Sequence, residues 1–232
     1  MQSNVRLISH SQPSQNSLGG VDDAQDLIAF CARVSNPENQ HNKKTAERLL
    51  SYLAKESHWS PFEMVSACLE IETPRDIARQ ILRHRSFSFQ EFSQRYADPV
   101  KDLNFIKREA RLQDAKNRQN SIEIENDPSL VENQRYQDLI AEWSRRQAGV
   151  IEQSRKAYEW AIENGIAKEQ ARAVMPEGNT MSRLYMNGTI RSWMHYIELR
   201  SGNGTQKEHR QVALKCADEL EKVFPIIKKF IK

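Results

Sequence analysis

The sequence predicts an α+β protein in which helices pack on a small mixed or antiparallel sheet. Three observations point there. Apolar residues recur at helical spacing in several separate stretches, "EMVSACLEIE" alternates with the period of a strand buried on one face, and the chain shows neither an internal repeat nor a low-complexity tract. Its 232 residues suit one substantial domain or two small ones, enough to bury a core without a disulfide or metal staple, and a single domain is the expectation.

The elements follow in order. "NVRLIS" reads as a short edge strand, and a Gly-Gly turn separates it from "DDAQDLIAFCARVS". There an acidic start and apolar Ala24, Leu27, Ile28 and Cys31 describe an amphipathic helix. A polar loop leads to a second helix through Ala46, Leu49, Leu50 and Leu53, and then to the strand carrying Val65, Ala67, Leu69 and Ile71. In "TPRDIARQILRH" Thr73 is placed as a cap, Pro74 as the first helical residue and Asp76 in the first turn, with Ile77, Ile81 and Leu82 toward the core. Helical spacing also puts Asp76, Gln80 and Arg83 on one stripe, so Gln80 and Arg83 are expected to share a space.

From about 101 to 133 the chain is polar and lacks apolar periodicity, and it reads as an insertion outside the core. A long helix follows, with Tyr136, Ile140, Trp143, Gln147, Val150, Ser154, Tyr158 and Ala161 near one face. It ends at Asn164-Gly165, and a short second helix stops at Pro176. In "MNGTIRSWMHYIELRSGNG" Ile190, Met194 and Ile197 form a core stripe with Arg191 and His195 beside it, and "QKEHRQVALKCADELEKVF" gives a last helix.

The bulk chemistry excludes several classes. A net charge of +3 is too small to argue for a nucleic-acid partner. Three scattered cysteines, Cys31, Cys68 and Cys216, outside any CxxC pair, fit a reducing cytoplasm. No segment has signal-peptide character or the roughly 20 apolar residues of a membrane helix, so the expectation is a soluble intracellular protein with no membrane partner. His58, His84, His195 and His209 match no zinc spacing, and no metal is expected; His209, in "KEHRQ", reads as part of a solvated helix face.

The densest chemistry lies in "RHRSFSFQEFSQRY", Arg83 to Tyr96. Arg83, Arg85 and Arg95 are fixed positive charges that repel one another unless an anion offsets them, and guanidinium forks match phosphate oxygens two at a time. The stretch contains no glycine, so donors for such a ligand must come largely from side chains. Glu91 can hold an arginine or accept from a sugar hydroxyl or ring N–H, and Ser88 and Ser93 are neutral donors. Phe87, Phe89, Phe92 and Tyr96 either anchor the segment or flank a planar ring. An alternative for the same residues is a solvated turn tied by Arg–Glu pairs.

The pattern RHRxxSxxExSxRY resembles the signature of the flavin-dependent thymidylate synthases, with Gln90 where the family usually has Asn. "HWSPFE", His58 to Glu63, is similar to a second element of that family, with Met64 in place of its usual His. "ARAVMP" around Arg172 and "RSWMHYIELR" from Arg191 to Arg200 are similar to its later ligand-binding segments. The resemblance implies the family's fold and its reaction: reductive methylation of dUMP to dTMP, with carbon from 5,10-methylenetetrahydrofolate and hydride from reduced FAD that NADPH renews. It further implies a homotetramer whose sites are shared between subunits.

Residue by residue, the resemblance assigns His58, Ser60, Arg83, His84, Arg85, Glu91, Thr189, Arg191 and His195 to FAD, Thr189 standing where Asn is common. It assigns Gln80, Arg83, Glu91, Ser93, Gln94 through its backbone, Arg95, Arg172 and Arg200 to dUMP. Arg200 is the catalytic candidate, because a guanidinium at the uracil ring stabilises negative charge as N3 loses its proton. Ser93 is assigned to binding, since no base stands beside it to activate a nucleophile, and no cysteine has the surroundings of an attacking thiolate. Two other readings remain open at this point: a nucleic-acid-binding module, and a relative that keeps nucleotide or flavin affinity without turnover.

Overall fold

The computed structural model describes residues 3–14 and 21–232; the expected Gly-Gly turn lies outside them. Strand β1 (Asn4–His10) is followed by helices α1 (Ala24–Ala32) and α2 (Ala46–Lys55), strand β2 (Ser66–Pro74), helix α3 (Arg75–Ile81) and strand β3 (Ser88–Glu91). Next come the short α4 (Pro99–Asp102), strands β4 (Arg111–Gln113) and β5 (Ser121–Glu123), and α5 (Pro128–Val131). The chain closes with α6 (Gln134–Glu163), α7 (Lys168–Ala171), β6 (Met181–Thr189), α8 (Ile190–Arg200) and α9 (Lys207–Glu221). The α+β expectation holds: the main sheet has the order β1-β2-β6-β3 with every pair antiparallel, and β4 and β5 form a separate pair.

Alternation explains the sheet's two faces. Ala67, Leu69 and Ile71 of β2 and Ser182, Leu184, Met186 and Gly188 of β6 point inward, where the apolar residues meet Ile28 of α1, Leu50 of α2, Trp193 and Ile197 of α8 and Val212 of α9. The other face carries a polar ladder in which Glu70 accepts from Arg6 (2.9 Å) and Tyr185 (2.8 Å), and Glu72 accepts from Arg183 (2.8 Å). Among the described residues no helix is long and apolar enough to cross a membrane.

Several expectations need correction. Pro74 ends strand β2 and precedes α3 rather than being its first helical residue, and Thr73 lies within β2 with its hydroxyl 3.0 Å from that of Ser3, so it does not cap. Because α3 stops at Ile81, Arg83 leaves the helical stripe: Gln80 turns inward while Arg83 is exposed. The 101–133 segment is not wholly outside the core, since Leu103, Ile106 and Ile124 are buried. The long helix forms as expected, but Trp143 and Val150 are largely exposed and Ile151 is buried instead. Strands β3 and β6 were not anticipated as strands.

Two local features position functional segments. At the end of α2 Ser57 adopts a left-handed φ of 59°, and the bonds Ser57 N–H to Ala54 O and His58 N–H to Leu53 O close the helix and set His58 at the start of "HWSPFE". In β6, Gly188 leaves room for the Phe87 ring, which a Cβ there would overlap. Phe87 in turn packs edge-on against Trp193 with ring centroids 4.8 Å apart.

Candidate active site

The signature segment runs from the end of α3 through β3 along the edge of β6. Three of its aromatics act as anchors: Phe87 and Phe89 pack on the main core and Phe92 on Leu103, Ile106 and Met181. Tyr96 remains exposed, with the Arg95 guanidinium 5.5 Å from its ring centroid. Anchoring leaves Ser88 and Gln90, between the rings, to face outward, and Arg83 and Arg85, ahead of the first ring, are exposed as well.

The two arginine-bearing stretches meet. Arg200, the last residue of α8, donates from Nε to His84 Nε2 at 2.9 Å, and Ser192 Oγ donates to the Ser86 carbonyl at 3.1 Å. Burial, with the Arg200 and Arg83 charges beside it, pulls the His84 pKa down from 6.5 to about 4, so its ring is neutral and can accept from Arg200. On the first turns of α8 Thr189 caps the helix by accepting from Ser192 N–H (3.3 Å), Arg191 pairs with Glu63, and His195 packs edge-on to Trp59 at 4.6 Å. This sets "HWSPFE", with exposed His58 and Ser60, next to α8.

Glu91 is held by arginines, though not those of the signature. Arg79 Nη1 donates to it at 3.1 Å, Ser182 Oγ donates at 2.8 Å, and the buried Arg75 lies 3.4 Å away. Burial lowers the Arg75 pKa and the Glu91 charge opposes that shift. Arg75 and Arg79 were missed, although their four-residue spacing on α3 is the signal that could have found them. Arg95 and Arg172 gather at α7, where Glu169 pairs with Arg95 (3.6 Å) and its carbonyl accepts from Arg172 Nε (3.3 Å). Ser93 Oγ accepts only a long bond from Arg95 N–H, 3.4 Å, and no base adjoins it among the described residues.

A third group lies behind Arg200. His209 is fully buried, which overturns its reading as a solvated residue. Its Nδ1 is 3.2 Å from Gln80 Oε1 and its Nε2 is 3.1 Å from the Tyr196 hydroxyl, while Gln80 Nε2 donates to Gln206 Oε1 at 2.8 Å. Burial and the nearby Arg200 charge lower its pKa to about 3. The missed signal was position, since His209 begins the stripe continued by Val212, Ala213 and Cys216.

The donor set suits anionic guests. Arg83 and Arg85 are exposed, and among the described residues no side-chain hydrogen bond or ion pair engages either. Gln94 Nε2 is buried without a hydrogen-bond partner, whereas the buried Arg75 Nη1 is ion-paired with Glu91. Among the described residues no group of three or more His, Cys, Asp or Glu side chains could hold a metal ion. The three thiols are all shifted upward by burial, Cys216 most, so none is an activated nucleophile.

Comparison with known proteins gives the family. The family profile described as thymidylate synthase complementing protein matches residues 18–226. A probable flavin-dependent thymidylate synthase of Paramecium bursaria Chlorella virus 1 is 47% identical over 227 residues, 97% of each chain. A flavin-dependent thymidylate synthase of Synechocystis is 45% identical over 224 residues, 96% of each. Among solved structures, a UMP/dUMP methylase from Streptomyces cacaoi bound with 5-Br dUMP superposes with a TM-score of 0.73 at 25% identity, covering 99% of this chain and 94% of that one. The chain belongs to the flavin-dependent thymidylate synthase family.

Proposed function

We propose that this chain is a flavin-dependent thymidylate synthase, methylating dUMP to dTMP with carbon from 5,10-methylenetetrahydrofolate, FAD as its flavin and NADPH as reductant. The observation that carries the reading is the Arg200–His84 hydrogen bond of 2.9 Å, which joins the signature to the end of α8 across 116 positions of sequence. A solvated turn tied by its own Arg–Glu pairs would not need that contact. The nucleic-acid alternative loses ground because Phe87, Phe89 and Phe92 are spent on packing and cannot stack on bases.

Arg83 and Arg85, free of carboxylates, are suited to the pyrophosphate of FAD, with His84, His58, Ser60, Glu91, Thr189, Arg191 and His195 as the other flavin residues. When bound, the reduced flavin supplies the hydride. Arg95, Arg172, Ser93 and the Gln94 backbone would take the nucleotide, largely at its phosphate, with Gln80, Arg83 and Glu91 completing its contacts. Arg200 keeps its two terminal nitrogens for the uracil ring, where a fixed positive charge favours loss of the N3 proton. Neutral His84 holds that guanidinium in place without adding a competing charge. With Ser93 lacking a base and every thiol raised in pKa, the protein's share is positioning and electrostatics rather than covalent attack.

No hydrogen bond or ion pair among the described residues joins the Arg95–Arg172 group to Arg200, which favours sites completed by neighbouring subunits of a homotetramer. We take residues 1–232 as a single catalytic domain, with 101–133 as an insertion, working in the cytoplasm. The test is direct: purified protein should be yellow, bleach with NADPH under anaerobic conditions, and form dTMP once dUMP and 5,10-methylenetetrahydrofolate are added. A protein that bleaches but forms no dTMP would instead be a non-catalytic relative.

A further inference from the structure

The acceptor-only carboxylate of Glu208 sits at the head of a hydrogen-bond chain that ends at Tyr196. Arg108 Nη2 lies 3.1 Å from Glu208 Oε2, Arg111 binds the other oxygen, and Gln206 Nε2 donates to Oε2 at 3.0 Å. Each later link then has one possible direction. Because Gln206 must donate to the carboxylate, it offers Oε1 to Gln80, and Gln80 must answer with Nε2 at 2.8 Å. Gln80 therefore presents Oε1 to His209, whose Nδ1 must carry the proton, and Nε2 is left to accept from the Tyr196 hydroxyl. The last link, between His209 and Tyr196, is buried and the one before it is part-buried, so an unmet polar group there is costly.

We propose that His209 is a positioning residue, which with Glu208 at the far end fixes the orientation of the Gln80 amide toward the nucleotide. Of that amide, one N–H and one oxygen lone pair remain for substrate, and the chain decides on which side each lies. Arg108 and Arg111 come from the polar segment, so the segment gains a role as the far anchor of this chain. The inference rests on the assignment of Gln80 to dUMP, and it adds a residue that the resemblance did not supply.

Two measurements separate this inference from that reading. In the wild-type protein with nitrogen-15-labelled histidine, solid-state spectra should show one ring protonated at Nδ1 and bare at Nε2 that disappears in His209→Leu. Glu208→Gln, which can donate as well as accept, should add a second tautomer at this ring. A wild-type His209 protonated at Nε2 would overturn the direction of the chain, and a single unchanged tautomer in Glu208→Gln would overturn Glu208 as what sets it, whether or not the protein methylates dUMP. In kinetics, His209→Leu should raise the KM for dUMP about ten-fold with kcat changed less than about three-fold, and His209→Asn, which keeps a donor at the Nδ1 position, should recover most of the loss. Equal losses in both variants, or a fall in kcat at constant KM, would mean that His209 only fills space.

Discussion

Arg200 and His84 show how one hydrogen bond can prepare a charged group for chemistry. The guanidinium has five N–H donors in a fixed fork, and committing Nε to a neutral imidazole leaves the fork aimed and still fully charged. Replacing Arg200 by Ala should lower dTMP formation by about 100-fold or more, by analogy with loss of one charge-stabilising donor, while flavin absorbance is retained. Loss of bound flavin in that variant would place Arg200 in the cofactor site instead. The two histidines also set a response to acid. Both have folded pKa values below the ordinary 6.5, about 4 for His84 and about 3 for His209, so between those limits the unfolded chain binds more protons. Their contribution is complete above about pH 6.5 and is lost as pH falls toward about 4 for His84 and about 3 for His209. The urea midpoint should drop over that window, and less steeply in His209→Asn, which removes one of the two titrating rings.

At the scale of elements, β6 and α8 form the frame on which the signature is hung. Gly188→Ala should destabilise by about 1–3 kcal/mol, since its Cβ would overlap the Phe87 ring, and denaturant midpoints would measure it. An unchanged midpoint would mean that the Phe87 anchor is dispensable. Helices α1, α2, α6, α8 and α9 were legible because each writes its own period, and so were β1 and β2. Strand β6 was not, because its inward residues Ser182, Leu184, Met186 and Gly188 mix polar, apolar and absent side chains. The site divides the same way. The spacing of Arg83, Glu91 and Arg95 was plain in the chain, whereas Arg75 at Glu91 and His209 at Gln80 depend on partners 16 and 129 positions away. The helical spacing of Arg75 and Arg79 and the apolar stripe of His209 show which way each residue faces, but not the distant partner it meets.

At the scale of the whole molecule, the proposed sites need separate surfaces to meet across subunits. The 27.0 kDa chain should behave in light scattering as an assembly of about four copies, and a monomer would contradict the homotetramer. Arg172→Ala and Arg200→Ala, each inactive alone, should regain part of the wild-type rate when unfolded together and reassembled, because some mixed sites would then carry both arginines. No recovery would place both residues in a site made by one chain. The most direct measurement is a crystal structure of the protein with FAD and dUMP. Flavin phosphates are expected on Arg83 and Arg85, the nucleotide phosphate on Arg95 and Arg172, and the uracil ring against Arg200 in one shared pocket. Nucleotide and flavin in separate places, or a uracil ring away from Arg200, would contradict that arrangement.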